Sequence, residues 1–145
     1  MALTGKWSLF EAKNGEAYFT AIKSPDEYKE KLRKVNEAAK ADPNAYIEEL
    51  KVNKAAGTIQ RCVYFQGEKR KDSGEVKLGS ELDGHAGDGR PAKVKLSLDS
   101  DTKLTRTENG DGFSTVTTFE VAGDVLTLTA VGNGVTFVSK LKRVG

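Results

Sequence analysis

The sequence has few of the residues on which catalytic, metal-binding and disulfide-stabilised proteins depend. Its 145 residues include one cysteine, one histidine and three prolines. The lone Cys62 excludes an internal disulfide, and His85 has no second imidazole or thiol cluster with which to bind a metal. Ser139 could act as a nucleophile only beside a base, and none is identifiable. We therefore predict no catalytic residue, no metal site and no cofactor.

The chain also lacks a long hydrophobic run and an excess of charge of either sign. No stretch approaches the ~18 apolar residues that a membrane-spanning helix needs. The 23 basic and 21 acidic residues leave a net charge of +2, and their scatter gives no footprint for nucleic acid. The opening MALTGKW has no apolar core of a secretory signal. Together with the single cysteine, this favours a cytoplasmic location.

What is present fits one globular domain over residues 1–145. Hydrophobic residues make up 37% of the chain and charged residues 30%, which is too apolar a balance for a disordered chain. A domain of this length can bury a core without disulfides. We expect a monomer.

Helical signals are confined to residues 15–41. Residues 15–23 follow a first predicted strand at 5–13 and lack strand alternation, which favours a short helix. A second helix is predicted to start at Ser24-Pro25-Asp26-Glu27, with Ser24 as its cap and Glu27 completing a capping box. Its apolar stripe consists of Tyr28, Leu32, Val35 and Ala39.

The chain after Asn44 predicts antiparallel β-structure. Candidate strands recur at roughly ten-residue spacing with glycine-containing turns between them, which is typical of all-β proteins. With residues 5–13 they make ten strands, the others being 45–53, 58–66, 70–78, 81–86, 90–99, 103–109, 113–122, 124–131 and 134–143.

The inward faces of the late strands mix apolar and hydroxyl side chains. Thr115, Thr117 and Ser139 share the phase of phenylalanines and leucines on their strands. A solid core would rarely leave such hydroxyls without partners. Because about eight strands make the largest barrel that side chains can fill, ten strands favour an interior cavity. The sequence therefore predicts an up-and-down β-barrel enclosing a space.

Several motifs agree in order and spacing with one family. Gly5-Lys6-Trp7 is similar to an opening G-T-W, and Asn14 to Tyr18 to the N-F-D-D-Y that starts the family's first helix. Val76 to Asp83, followed by Asp88-Gly89-Arg90, resembles F-K-L-G-E-E-F-D…D-D-R. The chain thus resembles the intracellular lipid-binding proteins, of fatty-acid-binding-protein type. The resemblance implies a ten-stranded barrel with a helix-turn-helix lid after strand one, through which a ligand enters.

The resemblance also implies which anchors are missing. In the family, a fatty-acid carboxylate is usually held by an Arg on the eighth strand and an Arg-x-Tyr on the tenth. The matching positions are Phe119, Ser139 and Leu141. An arginine–carboxylate bond in a dry cavity is strong, so its loss argues against a carboxylate bound deep in that mode.

Two cationic side chains are predicted to face the cavity. Arg90 matches a family arginine near the lid, and Arg106 has the inward phase on its strand together with Glu108. Arg106 and Glu108 can form a self-neutralising internal pair or contact ligand directly. The predicted ligand-binding residues are Tyr18, Arg90, Arg106, Glu108, Thr117, Phe119, Leu128, Phe137, Ser139 and Leu141, with Tyr28, Leu32 and Val35 in the lid.

The leading functional hypothesis is a non-catalytic carrier of one small apolar ligand, a fatty acid or related lipid, with exchange gated by the lid. One alternative is a ligand-independent interaction or storage protein on the same scaffold, which predicts a filled interior. Another is a carrier of a retinoid or pigment. An enzyme on this barrel would need an acid–base pair, for which Arg106 and Glu108 are the candidates. The family's lids also suggest transient membrane contact through the basic face of the second helix.

Overall fold

A computed structural model describes residues 2–144, which form two helices and eleven strands. In chain order these are β1 (Gly5–Lys13), α1 (Gly15–Ala21), α2 (Asp26–Ala41), β2 (Tyr46–Asn53), β3 (Thr58–Phe65), β4 (Glu68–Asp72), β5 (Val76–Lys77), β6 (Glu81–His85), β7 (Pro91–Ser100), β8 (Lys103–Gly110), β9 (Phe113–Ala122), β10 (Val125–Gly132) and β11 (Val135–Arg143). None of the helices within residues 2–144 has the length and hydropathy needed to cross a membrane.

Ten of the strands form one antiparallel meander, which confirms the predicted fold class. The order is β4-β3-β2-β1-β11-β10-β9-β8-β7-β6, so the first and last strands pair side by side. Every other pair of neighbours in this order is consecutive along the chain and joined by a hairpin, except β1 and β2, which the two helices connect. The edge strands β4 and β6 share no ladder among the described residues, but Lys71 Nζ donates to the carbonyl of Gly87, 3.0 Å away, across this gap. The sheet is therefore curled into a barrel with one open seam.

The single strand predicted at 70–78 is wrong, because the segment divides into β4 and β5. Gly74 adopts a positive φ of 63°, and its N–H donates to Oδ1 of Asp72, 2.9 Å away. This local turn ends β4 and leaves β5 paired with β3, off the main path. A side-chain hydrogen bond of this kind competes with the backbone hydrogen bonds of a strand. The strand prediction for residues 70–78 did not take this competition into account.

The helices lie where residues 15–41 predict them, but α2 starts without the expected capping box. Pro25 precedes its first turn and no side chain caps it. The hydroxyl of Ser24 instead donates to Oδ2 of Asp88, 2.5 Å away in the turn after β6. A hydrogen bond to a charged carboxylate is stronger than one from a neutral backbone N–H, which explains why Ser24 bonds to Asp88 rather than capping α2. The predicted stripe does face the sheet, since Val35 and Ala39 pack on the main core.

The main core joins the first strand to the late ones. Trp7, Leu50, Leu104 and Leu126 are fully buried there. The indole N–H of Trp7 donates to the carbonyl of Leu3, 3.2 Å away, so its one polar atom is satisfied. A second, smaller cluster attaches α1 to the sheet and contains Tyr18, Phe19, Ile22 and Ala130. The space between these clusters and the lid is the candidate site.

Candidate ligand-binding cavity

A cavity of about 610 Å³ lies between the inner face of the sheet and the two helices. Its size falls within the range of small-molecule sites in proteins, roughly 300–1,000 Å³. Apolar and aromatic side chains make up much of its wall. They include Leu9, Phe19, Ile22, Val63, Phe65, Leu128, Ala130 and Phe137.

The pleat places most of the predicted ligand-binding residues in this wall. Alternate residues of β8 to β11 point inward, as their hydrophobic phase predicts. The predicted residues that line the cavity are Tyr18, Arg106, Glu108, Thr117, Phe119, Leu128, Phe137, Ser139 and Leu141, with Tyr28, Leu32 and Val35 from the lid. Their contact with a ligand stays a prediction.

Arg90 differs from the expectation, because it lies outside this wall. Its guanidinium donates to Oδ2 of Asp88, at 2.6 Å from Nη2 and 2.9 Å from Nε, and to the carbonyl of Ile22, at 2.8 Å. It also stacks on Phe113, with 3.9 Å between Cζ and the ring centroid. Arg90 thus forms an ion pair with the buried Asp88 and a hydrogen bond to Ile22, and these contacts attach the end of α1 to the sheet.

Arg106 and Glu108 form an internal pair. Arg106 Nη1 lies 3.0 Å from Glu108 Oε2, and both side chains are largely buried. The same Oε2 accepts the N–H of Gly87 at 2.9 Å, while Oε1 accepts the hydroxyl of Thr115 at 2.7 Å. Arg106 also donates to the carbonyl of His85, 3.0 Å away. Of the two interpretations of this pair, the geometry is that of mutual neutralisation, with both carboxylate oxygens occupied.

A second internal ion pair was not predicted from the sequence. Arg61 on β3 contacts Oε1 of Glu48 on β2, and the hydroxyl of Tyr46 donates to the same oxygen at 2.9 Å. All three residues line the cavity. The available signal was the phase of β2, in which Tyr46 and Glu48 share one face of the strand with the buried Leu50. A carboxylate on an apolar face indicates either a partner or a site.

The pKa shifts reflect how thoroughly this cluster is removed from water. Burial holds the pKa of Tyr46 well above its ordinary value, and the charge of Glu48 adds to that effect. Burial alone would lower the pKa of Arg61, but Glu48 and Tyr46 raise it above its ordinary value. Arg61 therefore stays a cation. Its pairing with Glu48 is essential, because an unpaired buried charge is costly.

Aromatic side chains join the lid to the sheet. The rings of Phe19 and Phe137 meet edge to face, with centroids 5.6 Å apart, and Phe19 meets Tyr28 at 4.9 Å. Burial raises the pKa of Tyr28 to about 12. Tyr18 is also buried, and burial raises its pKa. Neither phenol ionises near neutral pH, so these two side chains add no charge to the cavity.

The remaining reactive side chains do not converge on a site. No group of three potential metal-ligating side chains occurs within residues 2–144. His85 is exposed at the end of β6. Cys62 is buried, and burial raises the pKa of its thiol, with Asp72 adding to that effect. A thiol with a raised pKa has little thiolate, so it is a poor nucleophile.

The geometry defines a class of protein: a curled antiparallel sheet that encloses a ligand-sized space, with a two-helix lid over it. A fatty acid-binding protein of Clonorchis sinensis is 32% identical to the chain, and the match covers 86% of that protein and 68% of this chain. One of Schistosoma japonicum is 34% identical over 52% of its length and 47% of this chain. The chain belongs to the fatty-acid-binding protein family.

Solved structures agree with the fold. A fatty acid binding protein of Schistosoma mansoni in complex with arachidonic acid superimposes with a TM-score of 0.83 at 22% identity, covering 99% of this chain and 97% of the other. Fatty-acid-binding protein 1 of Echinococcus granulosus gives 0.77 at 13% identity, covering 99% and 98%. No protein-family model matches the sequence.

Proposed function

We propose that the protein is a non-catalytic carrier that binds one small apolar ligand, a fatty acid or related lipid, inside the barrel. The observation that supports this most directly is the cavity of about 610 Å³, which the sheet and lid enclose without filling it. Burying a ligand's apolar surface there contributes about 25 cal/mol per Å². The fatty-acid-binding relatives, one of them in complex with arachidonic acid, support the same ligand class.

The cavity's titratable groups favour binding without a reaction. Arg106 and Glu108 were the acid–base candidates, but both oxygens of Glu108 already accept hydrogen bonds from Thr115, Gly87 and Arg106. A general base must lie within hydrogen-bond reach of the proton that it abstracts, whereas this carboxylate is held by three internal partners. This pair therefore supports the wall of a binding site rather than a reaction.

We propose that α2 is the part of the lid that opens to let a ligand in and out. α1 buries Tyr18 and Phe19, whereas α2 has no fully buried residue. Segments with few buried contacts open at the lowest free energy. The cavity wall includes Lys31, Lys34 and Asn36 of α2 and Arg70 of β4. The two elements approach each other where Lys71 of β4 lies 5.9 Å from the ring centroid of Tyr28 on α2. We place the ligand's entrance there, between α2 and β4.

The cavity distinguishes between the other hypotheses. A ligand-independent storage or interaction protein predicts a filled interior, and the cavity counts against it. A retinoid or pigment would fit the same apolar space. Transient membrane contact through the basic side chains of α2, a cytoplasmic location and a monomeric state complete the proposal.

The carrier hypothesis is tested by measuring ligand binding before and after a bulky side chain is introduced into the cavity. We expect native mass spectrometry of the freshly purified protein to show a single lipid adduct, and oleic acid to displace a neutral fluorophore such as N-phenyl-1-naphthylamine. Ser139→Phe, which puts a ring into the cavity, should weaken that binding by roughly tenfold or more. Ser114→Phe is the matched control, because Ser114 on β9 is exposed. Equal effects of the two substitutions, or no binding at all, would contradict a ligand in the barrel.

A further inference from the structure

The cavity wall contains one carboxylate whose hydrogen bonding is incomplete. The side chain of Glu48 is 1% exposed. Its Oε1 accepts hydrogen bonds from Tyr46 and Arg61, but its Oε2 accepts none from residues 2–144. The Nε–H of Arg61 also lacks an acceptor among these residues. A buried polar atom without a partner destabilises the protein, so this pair favours a ligand group that supplies one.

The neighbouring internal pair shows the contrast. Both oxygens of Glu108 have partners, in Thr115, Gly87 and Arg106. Arg106 also donates to a backbone carbonyl. The Arg106–Glu108 pair is thus complete without a ligand. Within the described part of the chain, the Glu48–Arg61 pair instead keeps a buried acceptor and a buried donor without partners, in two residues that line the cavity.

We propose that Glu48 and Arg61 form a subsite for the hydroxyl head of an uncharged single-chain lipid, a narrowing that rests on the proposed carrier function. A hydroxyl can donate to Glu48 Oε2 and accept from Arg61 Nε, and it brings no charge that needs neutralising. The subsite lies on β2 and β3, and its Arg61 adjoins Phe119 on β9, one of the positions that match the family's missing anchors.

An ionised carboxylate head fits this subsite poorly. The charge of Arg61 is already neutralised by Glu48, so a second anion would meet a like charge beside it. It could accept from Arg61 Nε, but it has no proton to donate to Glu48 Oε2. About 30% of the Arg61 side chain is accessible, but its Nε and Glu48 Oε2 are themselves covered, so a hydroxyl reaches these two atoms after a small shift of the guanidinium that keeps the ion pair.

The apolar surroundings fix which end of the ligand enters the subsite. Arg61 lies over the ring of Phe119, with 5.4 Å between Cζ and the centroid. Phe119 and Leu141 also line the cavity. A hydroxyl at Glu48 would therefore have its alkyl chain against these side chains. In this arrangement the ligand's hydroxyl contacts the charged pair, and its alkyl chain contacts apolar side chains.

The test compares three probes of equal chain length: dodecan-1-ol, dodecanoate and dodecyl methyl ether. Affinities are measured by displacement of N-phenyl-1-naphthylamine at about pH 8, where the acid is ionised. The ether keeps the oxygen acceptor but lacks the donor. We expect the alcohol to bind about tenfold more tightly than the ether, because a hydrogen bond to a charged group is lost. We expect it to exceed dodecanoate by at least as much.

Glu48→Gln provides the second measurement. It keeps the size of the side chain but leaves Arg61 uncompensated, so the preference should shift toward dodecanoate by about tenfold or more. Glu49→Gln is the matched control, because Glu49 is the next residue of β2 and lies outside the cavity wall. Circular dichroism checks that each variant is folded; if Glu48→Gln is not, the wild-type probe order decides.

The outcomes separate the subsite from the carrier function. An alcohol that binds no better than the ether or the acid overturns the subsite while the carrier function stands. The same preference shift in Glu49→Gln as in Glu48→Gln also overturns it. Failure of all three probes to bind overturns the carrier function itself.

Discussion

Arg61 on β3 lies over the ring of Phe119 on β9, with 5.4 Å between the guanidinium carbon and the ring centroid. Four strands separate β3 from β9 in the sheet order, so this contact crosses the interior rather than following a ladder. A cation over an aromatic face contributes roughly 0.5–2 kcal/mol, and most where water is excluded. Phe119 therefore supports the Glu48–Arg61 pair as well as forming part of the wall.

Truncating Phe119 should destabilise the protein. Phe119 is 1% exposed, so Phe119→Ala removes buried apolar surface together with its contact to Arg61. We expect the free energy of unfolding, measured by urea denaturation, to fall by about 3 kcal/mol. Phe10→Ala is the control, since Phe10 is 53% exposed and should change stability little. Similar losses in the two variants would contradict this assignment.

Removing the charge of Glu108 should be costly for a different reason. Glu108→Gln leaves Arg106, which is mostly buried, without its counter-ion. We expect the free energy of unfolding to fall by about 2–4 kcal/mol. The comparison is Asp83→Asn, which breaks the exposed pair with Lys93 and should leave the denaturation midpoint unchanged within error. An unchanged midpoint in Glu108→Gln would show that the internal pair is not structural.

Acid should loosen the attachment of the lid at Asp88. Burial by itself raises the pKa of Asp88, but hydrogen bonds from Arg90 and Ser24 lower it below its ordinary value. A group whose pKa is lowered by folding stabilises the folded state at neutral pH, and this contribution is lost as the pH falls below about 4. We expect Asp88→Asn to be less stable near neutral pH and to lose less stability in acid.

The measurement is the free energy of unfolding against pH for both proteins. Asp83→Asn serves again as the control, because Asp83 is exposed. Parallel pH curves for the wild type and Asp88→Asn would contradict a role for this carboxylate in acid sensitivity.

Loosening α2 should speed ligand exchange. Leu32 lines the cavity and packs against the cluster formed by Tyr18, Phe19 and Ile22. Leu32→Ala removes roughly 1.4 kcal/mol of packing from the closed lid, so stopped-flow displacement of N-phenyl-1-naphthylamine should be about tenfold faster. Glu37→Ala lies on the exposed side of the same helix and should leave the rate unchanged. Equal rates in all three proteins would mean that ligand leaves by another route.

Much of the fold and the wall could be predicted because both depend on local periodicity. A strand turns alternate side chains to opposite faces, so the phase of β9 and β11 by itself identifies Thr117, Phe119 and Ser139 as inward-facing. The apolar stripe of α2 locates the face that packs on the sheet in the same way. Local periodicity does not reveal the division of β4 from β5, because the Asp72–Gly74 turn depends on one side-chain hydrogen bond.

The partners of the polar side chains could not be predicted in this way. The local pattern around Ser24 suggests a helix cap, and the family resemblance implies that Arg90 is a cavity residue. Asp88 takes both of them instead. Ser24 and Arg90 each bond to the charged group that lies nearest in space. The distance from each of them to Asp88 depends on how α1 and α2 pack on the sheet.

The sequence by itself determined the strand meander, the place of the two helices and the faces that point inward, because each follows from the spacing of side chains along one element. Only the tertiary structure decided that Glu48 meets Arg61 and that Asp88 binds both Ser24 and Arg90. The first contact depends on the register between β2 and β3, and the second depends on how the helices pack on the sheet. Neither condition follows from the period of a single strand.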